Sequence, residues 1–338
     1  MPFRTHSPIL LTGAAGFIGF HSVRALAAAG YAVVGIDNLN EYYDPQLKRD
    51  RLEQLTDVDN FTFRRLDLAD REGMATLFAE LRPHAVVHLG AQAGVRYSFD
   101  NPFAYVDSNL VGMMTVLEGC RRTGVAHLVY ASSSSVYGAN RKLPFAESDP
   151  VDHPVSLYAA TKRADELMAH TYSHLYGLPT TGLRLFTVYG PWGRPDMAYY
   201  KFAHAIRARR PIELYNSGEM ARDFTYIDDV VTALVPLVDT PAAPGETLAA
   251  PHRSSAPFRL FNIGNHTPVR LQDFIDTLQR CLGQTAIVDH AAMQPGDVVE
   301  TFAEVSELAA AVDFAPSTPL EHGLGEFVEW FDRYHGYS

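Results

Sequence analysis

Ile9-Leu10-Leu11-Thr12-Gly13-Ala14-Ala15-Gly16-Phe17-Ile18-Gly19 decides the fold. An apolar run enters three glycines spaced three apart. A helical pattern follows through Val23 and Leu26 to Gly30, and a second apolar run, Tyr31 to Ile36, stops at Asp37. Strand, glycine turn, helix, strand and acid in that order are the βαβ unit that cradles a dinucleotide. Gly13 makes the tight turn, Gly16 lets the backbone approach a pyrophosphate, and Gly19 allows close helix packing; the alternative is that they only form a turn. The helix N-terminus, with Phe17 and Ile18 in its first turn, offers N–H donors to phosphates. Asp37 is placed to accept both adenosine-ribose hydroxyls and would repel a 2′-phosphate, so NAD is expected rather than NADP.

Outward from this unit the pattern repeats. Asn38 to Leu55 is a polar, aromatic excursion ending in a charged helix, expected over the adenosine side. Phe61 to Arg65 alternates as a strand and leads to Leu66-Asp67-Leu68, where Asp67 either meets the adenine amino group or caps a helix before Arg71. Ala85 to Leu89 is a buried strand entering Gly90-Ala91-Gln92-Ala93-Gly94, small residues that suit close approach to a ligand. A helix is expected from Phe103 to Arg122, carrying Asn109. The strand His127 to Ala131 delivers Ser132-Ser133-Ser134-Ser135. A further strand, Thr181 to Phe186, follows the next helix. This alternation predicts an α/β, Rossmann-like, doubly wound parallel sheet. Gly13, Asp37, Asp67, Gly90 and Ser133 all fall at carboxyl ends of strands, where such sheets bind ligands. The candidate cofactor contacts are Gly13, Gly16, Phe17, Ile18, Gly19, Asp37, Asn38, Asp67, Leu68, Leu89, Gly90, Ala91, Gln92, Asn109, Tyr158 and Lys162.

Tyr158 and Lys162 lie four residues apart in Ser156-Leu157-Tyr158-Ala159-Ala160-Thr161-Lys162 and share one helix face. A phenol is a poor base at neutral pH, but a neighbouring ammonium favours its ionised form. The serine hydroxyls can bind the same substrate oxygen. Alone, the Tyr–Lys spacing is a weak signal that on an arbitrary helix is mostly surface decoration; the dinucleotide unit before it gives it weight.

After Tyr189 the strict alternation stops. Gly190-Pro191-Trp192-Gly193-Arg194-Pro195 is a loop. Helical stretches (Lys201 to Arg209, Asp228 to Leu237, Leu271 to Leu282, Leu320 to Arg333) mix with short strands, and Phe258 to Ile263 is expected to return to the sheet. Pro241 to Pro257 reads as a surface loop. The expected division is a nucleotide-binding domain of residues 1–189 with returning segments about 223–240 and 258–264, and a smaller, discontinuous α/β substrate domain of about 190–222 and 265–338.

The chain has 338 residues, enough for such a pair of domains, and its 47% hydrophobic and 20% charged residues fit a globular protein. A net charge of −11 argues against non-specific nucleic-acid binding while leaving room for a local basic pocket. Cys120 and Cys281 lack metal-ligand spacing and are expected to be reduced core residues, and no metal is expected. No apolar run is long enough to cross a membrane, and a cytoplasmic location is the expectation.

These motifs resemble the extended short-chain dehydrogenase/reductase family of NAD-dependent epimerases and dehydratases. Within it the chain is similar to the nucleotide-sugar 4-epimerases that act on UDP-glucuronate. Gly13, Gly16, Gly19, Tyr158, Lys162 and the serine-to-Tyr137-Gly138 stretch carry the family likeness. Ile36 to Asp44, Ala91 to Ser98, Phe186 to Met197 and Met220 to Asp229 carry the narrower one. The resemblance implies tightly bound NAD, a UDP-sugar substrate and a homodimer formed through the helices Phe103 to Arg122 and Ser156 to Tyr176. It implies that Tyr158 is the base, that Lys162 also holds the nicotinamide ribose, and that Ser133 orients the reacting hydroxyl. Ser134, Ser135 and Thr187 would face the sugar carboxylate, Arg222 the diphosphate and Asp297 the uridine ribose. Where neutral-sugar relatives place a second diphosphate arginine, this chain has Met293 and Gln294, so Arg96 or Arg194 is expected to compensate. Related dehydratases carry Asp-Glu where Ser134 and Ser135 stand, and related decarboxylases a Glu at Ser135, so neither elimination nor decarboxylation is favoured. A neutral-hexose epimerase is disfavoured by Thr187, and a silent NAD-binding sensor by the presence of both Tyr158 and Lys162.

Overall fold

The structure, a computed structural model, describes residues 7–245, 250–291 and 300–337, and statements of absence below concern those residues. Seven strands pair in parallel: β1 (Ile9–Thr12), β2 (Val33–Asp37), β3 (Phe61–Arg65), β4 (Ala85–His88), β5 (His127–Ser133), β6 (Thr180–Leu185) and, after three strands outside this sheet, β10 (Phe258–Ile263). Their order is β3-β2-β1-β4-β5-β6-β10, so the strand order reverses between β1 and β4. β1 and β4 are buried at every position, as apolar runs covered on both faces must be. The helices are α1 (Phe17–Ala28), α2 (Pro45–Glu53), α3 (Arg71–Leu81), α4 (Tyr97–Asp100), α5 (Pro102–Tyr105), α6 (Gly112–Thr123), α7 (Leu157–Tyr176), α8 (Ala198–Arg207), α9 (Ile227–Val238), α10 (Leu271–Leu282), α11 (Ser306–Val312) and α12 (Leu320–His335).

The doubly wound parallel sheet and the return of Phe258–Ile263 to its edge beside β6 agree with the sequence reading. So does the helix expected from Phe103 to Arg122. The chain is helical without a break from Pro102 to Thr123, with a wider π turn over Val106–Val111 between α5 and α6. The extra residue of that turn accompanies the inward, 1% exposed placement of Asn109, as such insertions do beside functional sites.

Smaller strands β7 (Thr187–Tyr189), β9 (Ala221–Tyr226), β11 (Pro268–Arg270) and β13 (Glu300–Thr301) form a second sheet; β8 (Pro211–Tyr215) pairs with β12 (Ile287–Ala291). Segments 187–189 and 223–226, grouped by the sequence division with the nucleotide-binding part, lie in that second sheet, paired from Thr187↔Phe224 to Tyr189↔Tyr226. α9 packs on α1, so one apolar core runs from β1 through α9 to α12. Cys120 is fully buried; Cys281 is half-buried at the core margin, because α10 turns it toward Glu321.

Candidate active site

The carboxyl ends of β1 to β6 open into a cleft of ≈ 390 Å³, a size typical of ligand sites. One end is the glycine turn. Gly13 has φ +75°, and a side chain there would press on Gly90 N at 2.7 Å; one at Gly19 would strike Gly13 O at 1.9 Å. No side chain caps α1 at Gly16, which leaves the start of that helix open to an anion. Thr12 and His88 brace the switch point: the Thr12 hydroxyl accepts from Gly90 N at 3.0 Å and lies 2.7 Å from His88 Nδ1.

The Asp37 carboxylate is fixed at the end of β2, accepting from Ala15 N (3.2 Å) and Leu39 N (2.8 Å). Asp67 lines the same cleft and accepts from Asn38 Nδ2 and Ala69 N, both at 2.8 Å. The helix cap for which Asp67 was the alternative belongs to Asp70, whose side chain accepts from Gly73 N. Phe17, Ile18, Asn38, Leu68, Leu89, Gly90, Ala91 and Gln92 also line the cleft. Asn109 lies behind the wall: it accepts from Gln92 N, and donates to Gln92 O and Thr161 Oγ1, so it braces that loop against α7.

The other end holds the candidate catalytic side chains. Ser156 caps α7 by accepting from Ala159 N, which places Tyr158 in the first turn and Lys162 one turn on, both facing the cleft. Lys162 is 2% exposed; its ammonium donates to Ala131 O (2.9 Å) and Asp165 Oδ2 (3.0 Å), leaving one of its three donors for a ligand. Burial pushes the Asp165 carboxyl up to about 6, against the pull of Lys162. Ser133 ends β5, and its Oγ accepts from Ser135 N and donates to Ser135 Oγ, both at 3.2 Å. That arrangement turns Ser134 and Ser135 into the cleft, where Thr187 and Arg194 also lie.

Arg194 makes a two-pronged ion pair with Asp196, which also accepts from Tyr42 OH at 3.0 Å. Burial opposes the Arg194 charge, but Asp196 outweighs it and holds the guanidinium firmly ionised. Arg194 therefore reaches the cleft charged and paired with Asp196. Arg96 stacks on Tyr215 and Arg222 donates to Ala221 O; neither is among the cleft-lining residues. Asp297, with Met293 and Gln294, lies outside the described residues.

Sequence reasoning passed over two buried cations. Arg51 is 0% exposed and spends its donors on Ala15 O, Trp192 O, Gly193 O and Tyr43 OH, joining the glycine turn to the loop that carries Arg194. Lys48 lines the cleft and donates to Asn40. Their one signal was placement: Arg51 follows Leu47 by four residues on the buried face of an otherwise polar helix.

A glycine cradle that any side chain would fill, an uncapped helix start and a fixed carboxylate at the end of β2 fit a dinucleotide bearing a free ribose diol. The comparisons agree. The model of the NAD dependent epimerase/dehydratase family matches residues 9–251. The chain is 48% identical to the "Probable UDP-glucuronate 4-epimerase" of Rhizobium meliloti (strain 1021), covering 96% of each. It is 46% identical to UDP-glucuronate 4-epimerase 1 of Arabidopsis thaliana, over 98% of this chain and 78% of that one. The crystal structure of UDP-glucuronic acid 4-epimerase from Bacillus cereus with UDP-glucuronic acid and NAD superposes with a TM-score of 0.84 at 30% identity, covering 97% of this chain and 99% of that one.

Proposed function

Because the chain belongs to the NAD dependent epimerase/dehydratase family, we propose that this NAD-dependent isomerase inverts C4 of UDP-glucuronate to give UDP-galacturonate. The observation that carries this reading is the meeting of Tyr158, Lys162, Ser133 to Ser135 and Thr187 with the dinucleotide cradle in a single cleft. A C–H at a carbon bearing only a hydroxyl is not acidic, so inversion needs oxidation to a ketone and reduction from the other face. The glycine cradle and Asp37 would hold NAD, which would supply the reversible hydride acceptance that this inversion needs.

Tyr158 removes the C4 hydroxyl proton and later returns it, with the Lys162 ammonium supplying positive charge one helical turn away. Ser133 orients that hydroxyl. Between the two transfers the keto ring turns over without leaving. The 4-keto uronate is a β-keto acid, which loses CO₂ once its C5–carboxyl bond aligns with the ketone π system. Ser134, Ser135 and Thr187 hold the carboxylate out of that alignment, using neutral hydroxyls in place of a buried counter-charge. Arg222 and Asp297 are assigned to the diphosphate and the uridine ribose, with Arg96 or Arg194 as the second cation, and the cofactor stays bound through turnover.

A homodimer formed through α6 and α7 completes the reading. Leu167 and Leu175 of α7 and Met114 of α6 are exposed; Leu117, an apolar residue of the same helix, is core. The substrate is tested by giving purified protein UDP-glucuronate and, separately, UDP-glucose, with no added cofactor, and following the anomeric and C4 protons by NMR. UDP-galacturonate as the preferred product supports the reading. Turnover of UDP-glucose alone would keep the chemistry and remove the acid, and a pentose with CO₂ would contradict the role of Ser134 and Ser135.

A further inference from the structure

Directly behind the serine turn lies a buried ion pair that the mechanism above does not use. Arg184 of β6 and Glu166 of α7 are both 0% exposed. They are joined by two parallel hydrogen bonds, Nε to Oε1 at 2.8 Å and Nη2 to Oε2 at 3.0 Å. Glu166 follows Lys162 by four residues and Tyr158 by eight, so it sits on the same helix face. Its Oε1 also accepts from Ser132 Oγ at 2.7 Å, the residue before Ser133, and its Oε2 from Arg163 at 3.0 Å. Arg184 Nη1 donates to Tyr137 OH at 3.1 Å and to Glu147 O at 3.3 Å. Tyr137, two residues after Ser135, donates in turn to Asn262 Oδ1 of β10 at 2.6 Å. A single network thus ties both ends of the serine turn to the helix of the catalytic pair.

A buried ion pair is a poor way to gain stability, since well-packed apolar side chains of the same volume commonly do as well or better. What it supplies is a fixed geometry: two directional prongs at the point where strand end, turn and helix meet. We propose that Glu166, Arg184 and Tyr137 are positioning residues that set Ser133, Ser134 and Ser135 against Tyr158. They thereby govern how often the keto acid is returned as an epimer. With the turn displaced, the carboxylate is free to rotate. The C5–carboxyl bond then breaks, its electron pair passes to the enolate, CO₂ leaves, and a solvent proton at C5 gives the 4-keto pentose, whose C4 takes back the hydride so that a UDP-pentose is released. That consequence rests on UDP-glucuronate being the substrate.

The test uses full-length Tyr137→Phe and Arg184→Lys, with UDP-glucuronate labelled at C6. Tyr137→Phe keeps the ring stacked on Phe145 at 4.6 Å and loses only the hydroxyl, so it decides the matter if Arg184→Lys does not fold. The expected result is a kcat lower by about tenfold, KM little changed, and CO₂ released per turnover up by about tenfold in protein of near wild-type melting temperature. A folded Tyr137→Phe with wild-type kcat and CO₂ yield overturns the proposal, as does activity that merely tracks the folded fraction in both variants. Failure of the wild type to epimerise the uronate sinks the substrate assignment instead, and the kcat-against-KM split on whichever sugar it accepts still decides positioning.

Discussion

At the scale of single residues, the proposed chemistry rests on Tyr158, and the groups around it set its place. Its substitution by Phe removes the hydroxyl and leaves the ring, which meets Tyr105 edge-on at 6.1 Å between centroids. The expected loss in kcat is roughly 10²- to 10⁴-fold, the usual reach of acid–base catalysis, with the bound NAD content of the purified protein unchanged. Steady-state rates together with nucleotide released on denaturation check both halves. The gathering of the glycines, Asp37, Tyr158, Lys162 and the serines around one cleft was legible because each stands at, or within two turns of, a strand or helix end. Arg51, Glu166 and Arg184 were not legible. A buried charge makes sense only with its partners, and Arg184 lies 18 residues from Glu166 in sequence, Arg51 141 from Trp192.

At the scale of elements, α7 is the part whose local order the site needs most, because Tyr158 occupies its second residue. Ser156→Ala deletes the side-chain cap on Ala159 N and should cost about 1 kcal/mol, with Ser156→Asp restoring most of it. Urea unfolding reads the difference, and a loss well below that figure would mean that packing alone holds the first turn. The element reading of the sequence succeeded where apolar periodicity is unbroken, as in β1, β3 and α10. Between Phe103 and Arg122 it found the helix and missed the π turn within it, because one extra residue there leaves the apolar pattern nearly intact while Asn109 points inward. Periodicity reports which face is apolar and does not register a single inserted residue.

At the scale of the whole molecule, pH and assembly give two further tests. Burial pushes His127 down to about 4, and His21 likewise to about 4, each against a carbonyl hydrogen bond that works the other way. Burial, aided by the charge of Lys162, pushes His88 down to about 3. Rings held neutral contribute stability that is complete above about pH 6.5 and is lost as the pH falls toward 4, since the unfolded chain takes up protons that the fold refuses. Asp165, raised to about 6, works in the opposite sense over much of that range. His127→Gln isolates one ring: its unfolding free energy should depend on pH less steeply, by up to about 1.4 kcal/mol per pH unit between 6.5 and 4. An unchanged slope from urea titrations at several pH values would show that His127 is protonated in the fold. For assembly, light scattering should give twice the 37.4 kDa chain mass, and Leu167→Asp with Leu175→Asp should give the monomer. A wild-type monomer would remove α7 from the proposed interface.

In the proposed reaction the C4 hydrogen leaves and returns within a single closed site. UDP-glucuronate carrying deuterium at C4, incubated in ordinary water without added cofactor, tests it most directly. The expected product is UDP-galacturonate with its deuterium fully retained at the inverted C4, together with a slowing of turnover by the label. Product bearing a solvent proton at C4 would mean that inversion proceeds by exchange with water, and the roles given to Tyr158, Lys162 and the dinucleotide cradle would fall together.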